Sequence, residues 1–129
     1  MKNTAKRVLV VDDNSAMREL IAEIVGALGY AVYAVGNGEK AVNRLKTEKF
    51  DAVITDYHMP VMDGEGLTRW VKRNRPGVPV VFTSSDNLEN FKGVAEAAGA
   101  NEVLDKSEIA QKLPAILDSL LGAPNPLGL

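Results

Sequence analysis

Residues 8–13 read Val8-Leu9-Val10-Val11-Asp12-Asp13, four apolar side chains, mostly β-branched, running straight into two adjacent carboxylates. Apolarity without a period of two is what a strand buried on both faces requires. Val78 to Phe82 repeats the pattern. Outward from these two, Ala31 to Val35 and Ala52 to Thr55 are further short runs rich in β-branched residues, the Val78 run extends to Thr83, and Glu102 to Leu104 makes a shorter fifth. Their starts at 8, 31, 52, 78 and 102 lie 21 to 26 residues apart, an interval that holds one strand, one helix and two short turns.

Between these runs the apolar period lengthens toward 3.6. Met17, Ile21, Ile24, Val25 and Leu28 share a face, and Gly29 follows as a helix stop. Asn37 is placed to cap a second helix carrying Ala41, Val42 and Leu45 inward, and Asp63 to cap a third carrying Leu67, Trp70 and Val71. Trp70 reads as core or half-buried packing rather than a recognition residue. A fourth helix opens on Asp86, Asn87, Leu88 and Glu89, an acidic form of the capping box, with Leu88, Phe91, Ala95 and Ala98 as its buried face. The last is predicted to begin near Pro114, since proline suits a first turn and disrupts an interior, with Leu113, Ile116, Leu117, Leu120 and Leu121 as its stripe. Gly122, Pro124 and Pro126 end regular structure. The chain reads as one domain over 1–129, with a core of about 6–121 and a tail at 122–129.

Alternating strands and helices imply an α/β fold, a doubly wound five-stranded parallel sheet with helices on both faces. In such sheets, sites form beyond the carboxyl ends of the strands. There the sequence places Asp12 and Asp13 after the first strand, Asp56 after the third, Thr83 and Ser84 after the fourth and Lys106 after the fifth. Crowded carboxylates need a cation, and ligands that are all oxygen suit a hard one such as Mg²⁺. A carboxylate beside a metal and an ammonium can attack a phosphoryl group, because both cations neutralise the incoming oxygens. Each residue also has an ordinary structural role open to it. Asp12 and Asp13 suit a helix cap, Asp56 a turn before Pro60, Lys106 a solvated surface, and Ser84 and Ser85 a loop ahead of a helix. Their coincidence on one edge favours a shared site.

Composition narrows the classes. With 46% hydrophobic and 25% charged residues the chain is that of a soluble globular protein, and without cysteine it holds no thiolate metal site, disulfide or cysteine nucleophile. A formal charge of -2 gives no field for nucleic acid, and no apolar run approaches the roughly 18 residues of a membrane span. The expected location is the cytoplasm. His58 is the only histidine, which excludes a histidine-rich metal site. Gly36 and Gly38 lack the Gly-Lys-Ser/Thr of a nucleotide loop.

The motifs Val8 to Asp13 with Ser15 to Arg18, Asp56-Tyr57-His58-Met59-Pro60-Val61-Met62-Asp63-Gly64, Pro79 to Ser84, and Ala98-Gly99-Ala100 through Lys106 resemble the CheY-like receiver domains of two-component response regulators, over residues 6 to about 121. The resemblance implies the strand order 2-1-3-4-5. It implies Asp56 as phosphoacceptor, and Mg²⁺ held by Asp12, Asp13, Asp56 and the backbone carbonyl of His58, Asp12 acting through water. Lys106 is implied as the partner of the phosphoryl group. The switch hydroxyl is Thr83 or Ser84, and the 22-residue separation from the lysine that the family keeps selects Ser84.

Three positions depart from the family's common pattern. Val103 stands where many members carry an aromatic residue whose rotation follows the hydroxyl, so no tyrosine-type switch is expected. Ser107 stands where a proline often follows the lysine in a cis peptide. His58, two after the acceptor, and Asp86, two after Ser84, are placed to modulate dephosphorylation.

The function implied is a stand-alone receiver, a switch rather than an enzyme, phosphorylated by a sensor histidine kinase or phosphotransfer protein in phosphorelay signalling, with chemotaxis and motility among the settings. With no output domain expected, the signal leaves to a partner protein through the fourth helix, fifth strand and fifth helix. The chain then acts as a monomer or a weak phosphorylation-dependent dimer. Three other functions compete. A phosphorylation-independent interaction module is opposed by the intact set Asp12, Asp13, Asp56, Ser84 and Lys106. A phosphoester hydrolase wants a second acid where His58 stands, and a flavin binder would have its phosphate repelled by Asp12 and Asp13.

Overall fold

A computed structural model describes residues 5–85 and 88–122, Leu88 through its backbone alone. The chain alternates β1 (Arg7–Val11), α1 (Ser15–Ala27), β2 (Ala31–Val35), α2 (Gly38–Thr47), β3 (Ala52–Asp56), α3 (Gly64–Asn74), β4 (Val80–Ser84), α4 (Leu88–Ala98), β5 (Glu102–Asp105) and α5 (Ile109–Leu121), with a 3₁₀ turn at Lys106–Glu108. All four strand pairings are parallel, in the order β2-β1-β3-β4-β5. The α/β architecture and the strand order are those expected.

Strand alternation divides the core between two faces. Val8 and Val10 of β1 pack with Ile21 and Val25 of α1 and with Ile109, Leu113 and Leu117 of α5. Leu9 and Val11 pack on the opposite face with Ala41, Val42 and Leu45 of α2 and Leu67 and Val71 of α3. Phe82 of β4 carries a smaller third cluster with Phe91 and Ala95 of α4. Every residue of β3 is buried, so the strand that delivers Asp56 is held from both sides. Burying each Val or Leu side chain contributes about 1.5–3 kcal/mol, which makes this two-sided core the rigid frame of the rim.

Helix ends follow the sequence closely. Asn37 caps α2 by accepting from Lys40 N–H, Asp63 caps α3 by accepting from Gly66 N–H, and Gly29 takes φ 103° just past the end of α1. Strand bounds shift by a residue or two. β1 begins at Arg7, β3 runs through Asp56, and β5 runs through Asp105. β4 begins at Val80 rather than Val78, and it runs on through Ser84. Val78 N–H turns back to the Arg75 carbonyl, and Val80 N–H is taken by the Asn101 side chain.

The start of the last helix is a correction. α5 begins at Ile109 and Pro114 lies in its interior, where it has no N–H to offer the carbonyl of Ala110. Ile109, Leu113 and Leu117 are spaced by four and all buried against the sheet, and that packing outweighs the missing bond. The capping pair expected at Asp86 and Asn87 and the tail from residue 123 lie outside the described residues.

Candidate functional site

The carboxyl ends of β1, β3, β4 and β5 meet at one rim. Immediately after β1, Asp12 is fully buried. Asn14 N–H donates to Asp12 Oδ1 at 2.9 Å, and the Arg18 guanidinium donates to the Asp12 carbonyl at 2.8 Å. Asn14 itself caps α1, its side chain accepting from Met17 N–H at 2.9 Å. The capping role open to Asp12 and Asp13 is therefore filled by another residue, and Asp13 stands exposed beside the buried Asp12.

Asp56 ends β3 and is buried. One carboxylate oxygen from each of Asp12, Asp13 and Asp56 lies within 4.8 Å of the other two. Lys106, just past β5, reaches into this group. Its Nζ lies 2.9 Å from Asp12 Oδ2 and 3.1 Å from Asp56 Oδ1. One ammonium serves the two buried members of a three-carboxylate group, and the buried Asp12 Oδ2 has that ion pair without an aligned hydrogen bond. Burial pushes the Asp56 carboxyl above its ordinary pKa; Lys106 opposes the shift and Asp12 adds to it. Burial also works against the Lys106 ammonium, but Asp12 and Asp56 together outweigh it and raise its pKa. A charge deficit among oxygen ligands, one of them buried and poorly satisfied, is the donor set that a hard divalent cation fits.

The two candidate hydroxyls differ. Thr83 and Ser84 are both buried, on opposite faces of β4. Thr83 Oγ1 donates to the Thr55 carbonyl at 3.3 Å, within the sheet. Ser84 is the last residue of β4, in register with Asp105 next to Lys106. Val103 packs against the Phe82–Phe91 cluster. The Lys106–Ser107 peptide is trans, and Asp105 accepts from both the N–H and the hydroxyl of Ser107 at 2.8 Å, giving the turn a local cap at the position where a proline is common in the family. Asp86 lies outside the described residues.

The loop after Asp56 forms the site's outer wall. An open cleft of about 390 Å³ is lined by Asp13, Met59, Pro60, Asp63 and the exposed His58. Met62 N–H closes a γ-turn onto the Pro60 carbonyl at 2.8 Å, which puts Val61 at φ 71°, a strained conformation for a β-branched residue. Gly64 starts α3 hard against β3. A Cβ there would sit 2.3 Å from the Asp56 carbonyl oxygen, so only glycine lets the helix begin so close to the rim.

The family model for the response regulator receiver domain matches residues 8–118. The chain belongs to the receiver domain family. This receiver is 36% identical over 111 residues to the sensor histidine kinase GacS of Pseudomonas protegens, an alignment covering 82% of this chain and 12% of that protein. The chain thus spans about an eighth of the length of that relative. Among solved structures it is similar to the receiver domain of the sensor histidine kinase PA1611 of Pseudomonas aeruginosa, which has a magnesium ion coordinated in its active site cleft. There the TM-score is 0.84 with 29% identity, covering 92% of this chain and 99% of that one. It is also similar to the response regulator TrrA of Thermotoga maritima in complex with Mg²⁺-BeF, with TM-score 0.82, 28% identity and coverage of 90% and 99%. No helix among the described residues is long and apolar enough to cross a membrane.

Three contributors escaped the sequence reading. Asn14 holds the cap that the aspartates leave, and it was legible as a cap residue one position past the acidic pair. Arg18 braces Asp12 from the next helical turn. Tyr57 had no sequence signal beyond its place after Asp56, yet its N–H donates to Asp56 Oδ1 at 2.9 Å.

Proposed function

We propose that this receiver accepts a phosphoryl group on Asp56 from a phosphohistidine of a sensor histidine kinase or phosphotransfer protein, and that the resulting acyl phosphate switches binding to an output protein. The observation that carries this is the pairing of Asp56 Oδ1 with Lys106 Nζ at 3.1 Å inside a group of three carboxylates spanning 4.8 Å. In the transfer, the P–N bond of the donor breaks with its electron pair returning to the imidazole nitrogen, and an O–P bond forms at an Asp56 carboxylate oxygen.

Asp12, Asp13, Asp56 and the His58 backbone carbonyl are the groups that would hold Mg²⁺. When bound, the metal supplies positive charge to the incoming phosphoryl oxygens. Lys106 supplies a further positive charge from within hydrogen-bond reach of the acceptor. Ser84, ending the strand beside it, provides the hydroxyl that follows the phosphoryl group, with Thr83 committed to the sheet. The exposed His58 lines the approach of the hydrolytic water and sets the lifetime of the acyl phosphate together with Asp86. We read the chain as a cytoplasmic switch rather than an enzyme turning over a free substrate. Its output surface is the face of α4, β5 and α5.

The test is intact-mass analysis after incubation with acetyl phosphate. One phosphoryl adduct that requires Mg²⁺ and vanishes in Asp56→Asn supports the assignment. An adduct that survives Asp56→Asn rejects the site, and no adduct from acetyl phosphate or a phosphohistidine donor points instead to a phosphorylation-independent interaction module.

A further inference from the structure

α4 is anchored differently from the other helices. Among the described residues, α1 and α5 share one broad aliphatic core and α2 and α3 the other, whereas α4 meets the sheet through Phe91 and Ala95 on Phe82. Tyr57 completes this contact from the acceptor loop. Its ring stacks on Phe91 at 6.1 Å and 13° and lies 5.4 Å from Phe82, while Phe82 and Phe91 are 5.9 Å apart. Ring pairs of this kind depend on mutual orientation far more than aliphatic contacts do.

The same residue touches the acceptor directly. Tyr57 N–H is shared between Asp56 Oδ1 at 2.9 Å and the Thr83 carbonyl at 3.0 Å. Oδ1 is also the oxygen that Lys106 holds. A change at the Asp56 carboxylate therefore alters one of the two acceptors of this N–H, on the residue whose own ring lies against α4. Phe82 supplies a second input, because strand alternation puts it on the same face of β4 as Ser84, two residues on. Val103 pairs with Phe82 across the sheet and packs against the trio without a ring of its own.

We propose that Tyr57, Phe82 and Phe91 form an aromatic relay that couples the state of Asp56 to the placement of α4, with Tyr57 as its positioning residue. The relay rests on the phosphoacceptor reading of Asp56. Its working part is the stack between the acceptor loop and α4, and residue 103 serves only as a wall.

The experiment is hydrogen exchange of the full chain, read by mass spectrometry over residues 89–98, with and without Mg²⁺ and acetyl phosphate. The fraction carrying the phosphoryl adduct is measured in parallel. Wild type, Tyr57→Phe and Val103→Ala are expected to change exchange in α4 by roughly threefold or more on phosphorylation. Tyr57→Leu and Phe91→Leu keep an apolar filling but lose the stack, so at matched adduct fraction their α4 exchange should stay within roughly 1.5-fold of the unphosphorylated value. The two Leu variants act on opposite sides of the stack, so a folding defect in one leaves the other as the test. A full α4 response in a folded Leu variant overturns the relay, as does loss of the response in Val103→Ala alone. Wild type carrying the adduct with no α4 response overturns the relay and leaves the acceptor reading standing. Wild type without any adduct removes both.

Discussion

The two ends of the sheet handle charge in opposite ways. At the amino end, Glu48 is shared by Arg7 at 2.8 Å and by Arg44, so two guanidinium groups serve one carboxylate. Arg7 lies over the rings of Tyr33 and Phe50 at 4.5 and 4.7 Å, and its backbone N–H reaches Asp51 at 2.7 Å. Hydrogen bonds from Arg44 and then Arg7 hold the Glu48 carboxyl below its ordinary pKa. At the carboxyl end the ratio is inverted. Asp12 and Asp56 share the Lys106 ammonium with the Asp13 carboxylate clustered beside them, and burial holds Asp56 above its ordinary pKa. The amino end is an ion-pair cluster complete in itself, and the carboxyl end is short of positive charge in a way that an incoming cation relieves.

The two ends should therefore respond differently to substitution. Lys106→Met removes the only ammonium among the described residues that pairs with the buried carboxylates and should cost about 3 kcal/mol at neutral pH without metal, as breaking a buried pair does. Urea unfolding would show the loss shrinking as pH falls through the raised pKa of Asp56, and shrinking again with Mg²⁺. A pH-independent loss would mean that packing of the lysine stem accounts for it.

Glu48→Gln at the other end should have a much smaller effect, because this cluster is partly open to solvent. Its effect also fades as pH falls, but over a lower range, because the Glu48 carboxyl pKa is depressed rather than raised. A depressed carboxyl pKa contributes stability above the unfolded value, and that contribution disappears as pH falls through the folded one. The difference from wild type should fade toward ~1 M salt, where the Debye length is about 3 Å. A difference that persists in salt would show that the cluster acts through geometry rather than charge.

The carboxyl-end half of this contrast was legible in the sequence, whereas nothing in its pattern pointed to the amino-end cluster of Arg7, Arg44 and Glu48. Uninterrupted apolar runs such as Val8 to Val11 reveal double-sided burial, so the sheet and the residues at its carboxyl edge follow from pattern alone. Asp12, Asp13, Asp56 and Lys106 come together because strand ends in a parallel sheet share an edge. Pro114 misled for a physical reason. A local proline preference competes with a stripe of Ile109, Leu113 and Leu117 that reaches across it, and tertiary packing prevailed. The Tyr57 ring contacts were illegible because stacking on Phe91 joins residues far apart in sequence, with no periodicity to announce it. The choice of Asn14 over its acidic neighbours as cap depends on backbone geometry, which a run of three good capping residues does not resolve.

The measurement that bears most directly on the contrast is thermal unfolding of wild type and Asp56→Asn, each in EDTA and in Mg²⁺. A carboxyl whose pKa is raised by folding stabilises below its unfolded pKa and loses that contribution as pH rises, so at neutral pH the ionised Asp56 burdens the fold. In EDTA at pH 7 the variant should melt above wild type, by roughly 2–8 °C for each kcal/mol relieved, with the gap closing toward pH 4. Mg²⁺ at about ten times its Kd should stabilise wild type by ~1.4 kcal/mol and the variant by less. A variant that melts below wild type in EDTA, with Mg²⁺ shifting both equally, would contradict this reading of Asp56.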